Sequence, residues 1–345
     1  MARIDRKKLI EQLEKTRNSK VICYIGSTRI GAPYQMTQMD VRVVYDHLKK
    51  IGFTNKIDLI LSSFGGDVTF SWRLVNNIRQ FCNEFNVIIP FNAFSCATLI
   101  SFGADSIIML PLSCLGPTDP QSTSSYNIAP INVEDISSFI KFVKEDFDIK
   151  SEPGLISSLE LLSKSDGRIH PIALGAAKRG ASLAKKYAKE LLSTHKKKKI
   201  AKEKVAKIVQ TFSSDLFAHD HPINRDEAKV HGLNIVVENK KTEDLIWEIF
   251  EDYENELSLN EPLDPVTEFK NCNPNPLPLT LANQLQPVQI TIPTLKQLII
   301  ESAEFSDTFS RDLDVTGVKF LAGNGEIRET YSFISKSLHS TRDST

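Results

Sequence analysis

The sequence lacks several features that define well-known protein classes. It has five cysteines among 345 residues, and no two of them form a CxxC pair. Neither a disulfide framework nor a zinc site is therefore expected, and the scattered cysteines are typical of a reducing cytoplasm. No GxxxxGK[ST] phosphate-binding motif occurs, so we expect no ATPase in this chain. Nothing in the sequence indicates a metal or a cofactor.

Long apolar runs and an excess of one charge sign are also absent. No stretch of about 18 apolar residues occurs, which argues against a membrane span, and the charged start of the chain has no apolar core of signal-peptide length. The formal net charge is −1 at pH 7, whereas a nucleic-acid binder is usually basic. The HKKKK run at 195–199 has no interleaved aromatic residues, which favours a solvated loop over a binding site.

Apolar residues make up 41% of the chain, enough for one large α/β domain plus an extension, or for two domains. Up to residue 110, short apolar runs alternate with segments of helical periodicity. This pattern predicts helices over 4–17, 37–51, 68–84 and 96–104, and strands over 21–25, 57–61, 86–91 and 106–110. Such alternation favours a mainly parallel sheet, in which ligands bind beyond the carboxyl ends of the strands.

The remainder of the chain changes in character. Further helices are predicted over 133–147, 154–164, 171–192, 202–216 and 242–257. Residues 260–293 are rich in Pro, Asn and Leu, which is typical of a linker or an extended arm. The sequence Gly323-Asn324-Gly325 lies between two runs of β character and predicts a hairpin. We expect an N-terminal helix over 1–20, an α/β domain over 21–258 and an extension over 259–345.

Two features follow the predicted strands. Strand 57–61 leads to Gly65-Gly66, where glycine allows unusual backbone angles and a close approach by substrate; a plain tight turn is the alternative. Strand 86–91 leads to Ser95, at the start of the next helix, where it fits either an exposed nucleophile or an N-cap. Cys96 lies just inside this apolar helix, which favours a buried structural cysteine over a reactive thiol.

Together these residues resemble a known family. The segment Phe64-Gly65-Gly66-Asp67, with Ser95 29 residues after Gly66, is similar to the glycine pair and nucleophilic serine of the Clp proteases. The segments ATLISFGADSIIM and LGPTDPQ resemble more closely the serine dehydrogenase proteinases, which are Clp-fold relatives of signal-peptide peptidase A. The resemblance extends from about residue 21 to residue 234, and more weakly to residue 254.

This resemblance implies a Clp/crotonase-like fold, a mainly parallel β/α superhelix with a C-terminal extension that contains a β-hairpin. It implies a serine endopeptidase that acts on proteins or peptides, with Ser95 as nucleophile and the N–H groups of Gly66 and Cys96, beside Gly65, as oxyanion hole. Clp-fold proteins usually form rings, so a homo-oligomer is implied as well. The extension over 259–345 is a candidate contact for neighbouring subunits or a partner protein.

The base that would activate Ser95 is less clear. The Clp histidine would fall near Pro120, where this chain has none. Asp119 is the nearest titratable group, but an ordinary aspartate pKa of about 3.9 makes it a poor base at neutral pH.

The resemblance offers a second place for the base. Ahead of EAKVHGL, Asp220 aligns with the Clp aspartate and His219 with a histidine of the serine dehydrogenase proteinases, and histidine is the usual base for serine. A polar loop that caps the following helix is the alternative. His221 is a further candidate, as are Lys144 and Lys150, for which solvated surface positions are favoured.

Two other functions are consistent with parts of the sequence. A crotonase-class acyl-CoA enzyme shares the fold and the two-N–H oxyanion hole, but it uses carboxylates, and Ser95 at the Clp spacing argues against it. A non-catalytic scaffold or interaction protein would keep the fold without the base, which is consistent with the missing histidine near Pro120.

Overall fold

The computed structural model describes residues 3–119, 121–122, 131–164, 170–196, 199–216, 221–273, 275–282, 284–323 and 325–344. The chain forms two compact units. The first comprises residues 1–35, 46–52 and 239–345, and the second comprises residues 36–45 and 53–238.

Helices and strands alternate through the first third of the chain. The helices are α1 (Arg3–Arg17), α2 (Asp40–Ile51), α3 (Val68–Arg79), α4 (Cys96–Phe102), α5 (Val133–Glu145), α6 (Glu152–Lys164), α7 (Pro171–Leu192), α8 (Lys202–Gln210), α9 (Arg225–Val230), α10 (Lys240–Glu256) and α11 (Pro265–Cys272), and a π-helical turn spans Thr211–Asp215. The strands are β1 (Lys20–Gly26), β2 (Thr54–Ser62), β3 (Cys82–Ile89), β4 (Asn92–Ala93), β5 (Ser106–Met109), β6 (Cys114–Leu115), β7 (Gln121–Ser122), β8 (Ile131–Asn132), β9 (Ile235–Val236), β10 (Leu279–Leu281), β11 (Val288–Ser302), β12 (Ser306–Leu321), β13 (Ile327–Ser335) and β14 (His339–Asp343). Within the described ranges, every helix is too short or too polar to traverse a lipid bilayer.

The second unit is built on parallel strands in the order β2-β3-β5-β9. Residues 57–62 of β2 and 85–89 of β3 are buried throughout, as strands covered on both faces must be. Every residue of α4 is buried, with α3 and α7 packed against it. The predicted α/β alternation with a parallel sheet is confirmed, and α4 is a rigid support for the residue before it, Ser95.

A stripe of small residues allows α7 to approach α3 and α4 closely. The buried positions on this stripe are Ala173, Ala177, Ala181, Ala184 and Ala188. Their spacing of three or four residues keeps them on one helix face, and the short side chains bring the helix axes together.

The first unit is largely antiparallel. β11 pairs with β1 on one side and β12 on the other, and β13 and β14 both pair with β12. The predicted hairpin is confirmed, since Leu321 of β12 pairs with Ile327 of β13 in antiparallel register.

The prediction of a linker over 260–293 is wrong. These residues form α11, β10 and the start of β11, and four of their side chains pack into a small core with Leu313 and Val315: Leu263, Phe269, Leu277 and Ile292. The prolines misled the prediction, because Pro265 begins a helix instead of breaking one. It occupies the first helical position, where its missing N–H costs nothing, and Asp264 caps the helix by accepting the Val266 N–H.

Two predicted helices are shorter in the structure. The helix predicted over 68–84 ends at Arg79, because residues 82–84 pair in parallel with residues 54–56 of β2. The helix predicted over 202–216 ends at Gln210 and continues as the π-helical turn. A single inserted residue per turn leaves the apolar periodicity almost unchanged, so the sequence does not reveal the π turn.

Candidate active site

Ser95 has a backbone conformation that non-glycine residues rarely adopt. Its φ is 51° and its ψ −110°, and such strain persists only where the surroundings impose it. Its side chain makes no capping hydrogen bond to α4, so the interpretation of Ser95 as a side-chain N-cap is wrong. The half-buried hydroxyl is therefore not used by the helix that Ser95 precedes.

Gly65, the first residue of the glycine pair, lies directly against Ser95. Gly65 and Gly66 have φ values of 104° and 152°, a region that favours glycine. A Cβ on Gly65 would lie 3.0 Å from Ser95 Cβ and 3.0 Å from the Cys96 nitrogen. The structure thus brings together four of the residues singled out from the sequence, and at Gly65 it leaves no room for a side chain.

Backbone hydrogen bonds hold the glycine turn beside the serine. The Ser63 N–H donates to Asn92 C=O (2.9 Å), and the Phe94 N–H donates to Ser63 C=O (3.0 Å). The buried Ser63 hydroxyl also accepts the Gly65 N–H at 3.0 Å. These bonds tie the end of β2 to the segment that leads into Ser95.

Two amide groups near Ser95 have no backbone acceptor in the described part of the chain. Gly66 forms a parallel bridge with Met36, but Met36 N–H donates to Gly65 C=O and Asp67 N–H donates to Met36 C=O. Because the flanking residues make these bonds, the N–H of Gly66 itself faces the other side of the chain. Cys96 is the first residue of α4, so its N–H has no acceptor within the helix.

The Cys96 thiol is a structural group. The side chain is fully buried, and its Sγ lies 3.1 Å from Asp67 C=O. Burial raises the pKa of this thiol well above its ordinary value, so the nucleophilic thiolate is disfavoured. The interpretation of Cys96 as a buried structural cysteine is confirmed.

The loop that carries Asp119 is fastened to α4. Thr98 Oγ1 lies 2.8 Å from both the Ala93 and Gly116 carbonyl oxygens, and the Thr118 N–H donates to Phe212 C=O in the π-helical turn at 2.7 Å. Asp119, which is 8% exposed, ends the described part of this loop. Thr98 therefore positions the loop that follows β6 relative to the helix behind Ser95.

Of the histidine candidates, only His221 falls in the described part of the chain. His219 and Asp220 lie outside the described residues. His221 Nε2 lies 3.0 Å from Glu227 Oε1, a carboxylate in the first turn of α9. His221 is thus paired with a residue of the helix that it precedes.

The lysine candidates are surface residues, as the sequence indicated. Lys144 and Lys150 are both exposed, and Lys150 pairs with Asp148. Neither amine is buried, whereas a lysine that acts as a base is usually buried.

The HKKKK run is not wholly solvated, which corrects the expectation from the sequence. His195 is 8% exposed and its Nε2 lies 2.8 Å from Phe102 C=O. Lys196 Nζ donates to the carbonyl oxygens of Arg79 (3.3 Å) and Cys82 (3.0 Å). The run begins by binding carbonyls at the ends of α3 and α4 and at the start of β3.

An aromatic pair beside the site was missed by the sequence reasoning. The rings of Phe64 and Phe94 stack with centroids 5.7 Å apart, although Phe64 is 43% exposed. These residues directly precede the glycine pair and Ser95, and that placement was the available signal. They provide apolar surface next to the serine.

The first unit contains a Ser/His/Asp cluster of a different kind. His47 Nδ1 lies 2.9 Å from Ser302 Oγ, and its Nε2 lies 3.2 Å from Asp307 Oδ2. All three residues are at most 4% exposed, and Arg342 binds Asp307 with two nitrogens at 2.8 and 3.0 Å. Burial excludes a substrate here and lowers the pKa of His47, so the cluster holds strands together.

Comparison with known proteins gives one family match and several similar proteins. Residues 1–137 match the sequence model of the ClpP-like SDH-type serine proteinases. Two uncharacterized proteins of Methanocaldococcus jannaschii are also similar. One is 26% identical over 236 residues, which is 67% of this chain and 73% of that protein. The other is 26% identical over 254 residues, which is 72% and 76%.

A solved structure of a mutant of the 1510-N membrane-bound stomatin-specific protease is similar at 16% identity, over 60% of this chain and 77% of that one. Its TM-score of 0.37 is too low to support an argument. The matched family is Clp-like, as the sequence predicted for the fold. Over residues 1–137, this chain is therefore similar to the ClpP-like SDH-type serine proteinases.

Proposed function

We propose that the chain is a serine endopeptidase in which Ser95 attacks the peptide carbonyl and forms an acyl-enzyme. One observation carries the proposal: the side-chain-free Gly65 is packed against Ser95 and the Cys96 amide, and the helix does not use the serine hydroxyl. The family match, which includes both glycines and the serine, supports serine proteinase chemistry. The substrate is then a protein or peptide.

In this proposal the N–H groups of Gly66 and Cys96 form the oxyanion hole. As Ser95 Oγ bonds to the carbonyl carbon, the carbonyl oxygen becomes negative, and two fixed donors stabilise it without reorganising. Each such donor is typically worth about 10²–10³ in rate. The absence of a side chain at Gly65 allows the carbonyl to come close to both donors.

We propose His219 as the general base, with Asp220 as the orienting carboxylate. The base takes the Ser95 proton as the Oγ–carbon bond forms and gives it to the leaving amine; water then hydrolyses the acyl-enzyme. The support is the family resemblance around EAKVHGL, together with the exposure of both lysine candidates. Asp119 is the other candidate for the base, because its loop is bonded to α4, the helix that follows Ser95. We also propose a homo-oligomer, on the resemblance alone, and a cytoplasmic location, on the scattered cysteines.

Hydrolysis of a fluorescent unfolded protein by the purified full chain tests this function. We expect Ser95→Ala to abolish turnover and Ser101→Ala to retain it, since Ser101, in the same helix, only donates to Ala97 C=O at 2.9 Å. His219→Ala should lower kcat by about 10²–10⁴, and Lys144→Ala should leave it unchanged. Turnover that survives Ser95→Ala would sink the proposal, and an inactive wild type would favour the non-catalytic scaffold.

A further inference from the structure

The first unit contains a polar cavity of about 350 Å³. Its lining consists of three basic residues, two acidic residues, one amide and two hydroxyl residues: Arg3, Arg6, Lys296, Glu256, Asp343, Asn255, Ser306 and Thr308. Its walls come from α1, α10, β11, β12 and β14, all of which belong to this unit. The cavity has the size and the hydrogen-bonding groups for a small polar ligand.

Arg3 is the unusual member of this lining. Its side chain is 10% exposed, and its Nε, Nη1 and Nη2 are buried without a hydrogen-bond acceptor among the described residues. Its nearest charge is Glu301, with Oε1 at 3.6 Å from Nε. Arginine does not lose its proton in proteins, and a buried charged donor without an acceptor is costly. Its donors therefore require an acceptor that the cavity can hold.

Three of the neighbouring carboxylates are already engaged by Arg6. Arg6 binds Glu301, Asp252 and Glu256 at 2.5–2.7 Å, and Glu256 also binds Lys296 at 2.8 Å. Burial raises the pKa of Glu301, which weakens it as a counter-charge. Glu301 keeps its Oε1 without a hydrogen bond, 3.6 Å from Arg3 Nε, and is thus a partial counter-charge for Arg3. A rotation of Asp252 or Glu256 toward Arg3 would break an existing ion pair with Arg6.

We propose that this cavity binds a small oxyanion, phosphate or carboxylate, on the guanidinium of Arg3. The planar fork of arginine matches two oxygens of such a ligand. Lys296 and the Thr308 hydroxyl supply further donors, whereas the Ser306 hydroxyl donates to Glu301 Oε2 at 3.4 Å. Positive and negative side chains nearly balance around the cavity. Recognition therefore depends on directed hydrogen bonds at Arg3, and affinity is moderate.

Calorimetric titration of the full chain with inorganic phosphate and with acetate, at ionic strength matched by NaCl, tests the site. At least one of the two anions should bind saturably and raise the Tm by mass action. The anion that binds shows whether the site takes a phosphate or a carboxylate. Arg3→Gln should weaken its binding about tenfold or more. Lys8→Gln is the matched control, because Lys8 is an exposed residue of the same helix paired only with Asp5.

Absence of saturable binding for both anions, or equal binding by Arg3→Gln, would overturn the site. If Arg3→Gln folds poorly, Arg3→Lys is the alternative variant, because it keeps the positive charge and removes the planar guanidinium. Arg3→Lys should also bind the anion more weakly than the wild type. A crystal structure grown with phosphate gives an independent answer. An anion on Arg3 supports the site, and water alone in the cavity contradicts it.

Discussion

Replacement of Gly65 by alanine should inactivate the site without touching the serine. The added Cβ would lie 2.8 Å from Phe94 O, 3.0 Å from the Cys96 nitrogen and 3.0 Å from Ser95 Cβ. Two of these neighbours are backbone atoms, which cannot swing aside as a side chain can. The methyl group would therefore push the serine and the Cys96 amide apart.

Two costs contribute to the size of the effect. Alanine at φ 104° is strained by roughly 1–2 kcal/mol, and the three short contacts add about 1–3 kcal/mol of overpacking. The free energy of unfolding should fall by roughly 2–5 kcal/mol in total. Loss of one aligned oxyanion donor should lower kcat by about 10²–10³, provided that the variant is assayed where it is folded.

Gly52→Ala is the matched control. Gly52 also has a positive φ, 75°, but a Cβ there would meet nothing within 4 Å, so this variant carries strain without contact. We expect normal turnover and a loss of roughly 1–2 kcal/mol. Urea unfolding and peptide hydrolysis of both variants give the comparison. A folded Gly65→Ala protein with wild-type kcat would refute the geometry described for Ser95.

Three further predictions follow from single contacts. Thr98→Val should reduce the free energy of unfolding by about 1–3 kcal/mol, because it removes the hydroxyl that joins Ala93 to Gly116; an unchanged urea midpoint would contradict this role. Burial lowers the pKa of His47 and His195 below the usual value. As the pH decreases, both histidines are therefore protonated in the unfolded chain before they are protonated in the folded chain. Stability should therefore be constant above about pH 6.5 and fall as the pH decreases below it, with a smaller slope in His195→Gln; equal stability at pH 5 and pH 7.5 would disprove it. Phe64→Ala should raise KM for apolar peptide substrates with little change in kcat, and unaltered KM values across a peptide panel would exclude Phe64 from the substrate surface.

The sequence predicted those elements whose signals are local. Pro171 starts α7 and the alanine spacing defines its buried face, so its bounds were predicted correctly. The glycines at 323 and 325 similarly indicated the hairpin, and the glycine pair with Ser95 indicated the site. The contact between Gly65 and Ser95 joins residues on successive strand ends of a parallel sheet. The alternation of elements placed both residues at that edge, and the family resemblance then singled them out as a pair.

The features that the sequence did not reveal depend on distant partners. His47 meets Ser302 across 255 positions of chain, and no pattern near either residue indicates the pairing. The partners of Lys196 are likewise carbonyls of Arg79 and Cys82, which only the folded chain brings within reach. Pro265 was misread because a proline at the start of a helix and a proline in a linker look alike in composition.

Ser95 as the nucleophile is tested most directly by mapping the adduct of a fluorophosphonate on the full chain by mass spectrometry. We predict a single adduct on the peptide that contains Ser95, located on its Oγ, and no adduct in a Ser95→Ala variant with an unchanged circular dichroism spectrum. An adduct on a different residue, or labelling that persists in Ser95→Ala, would contradict the assignment of Ser95.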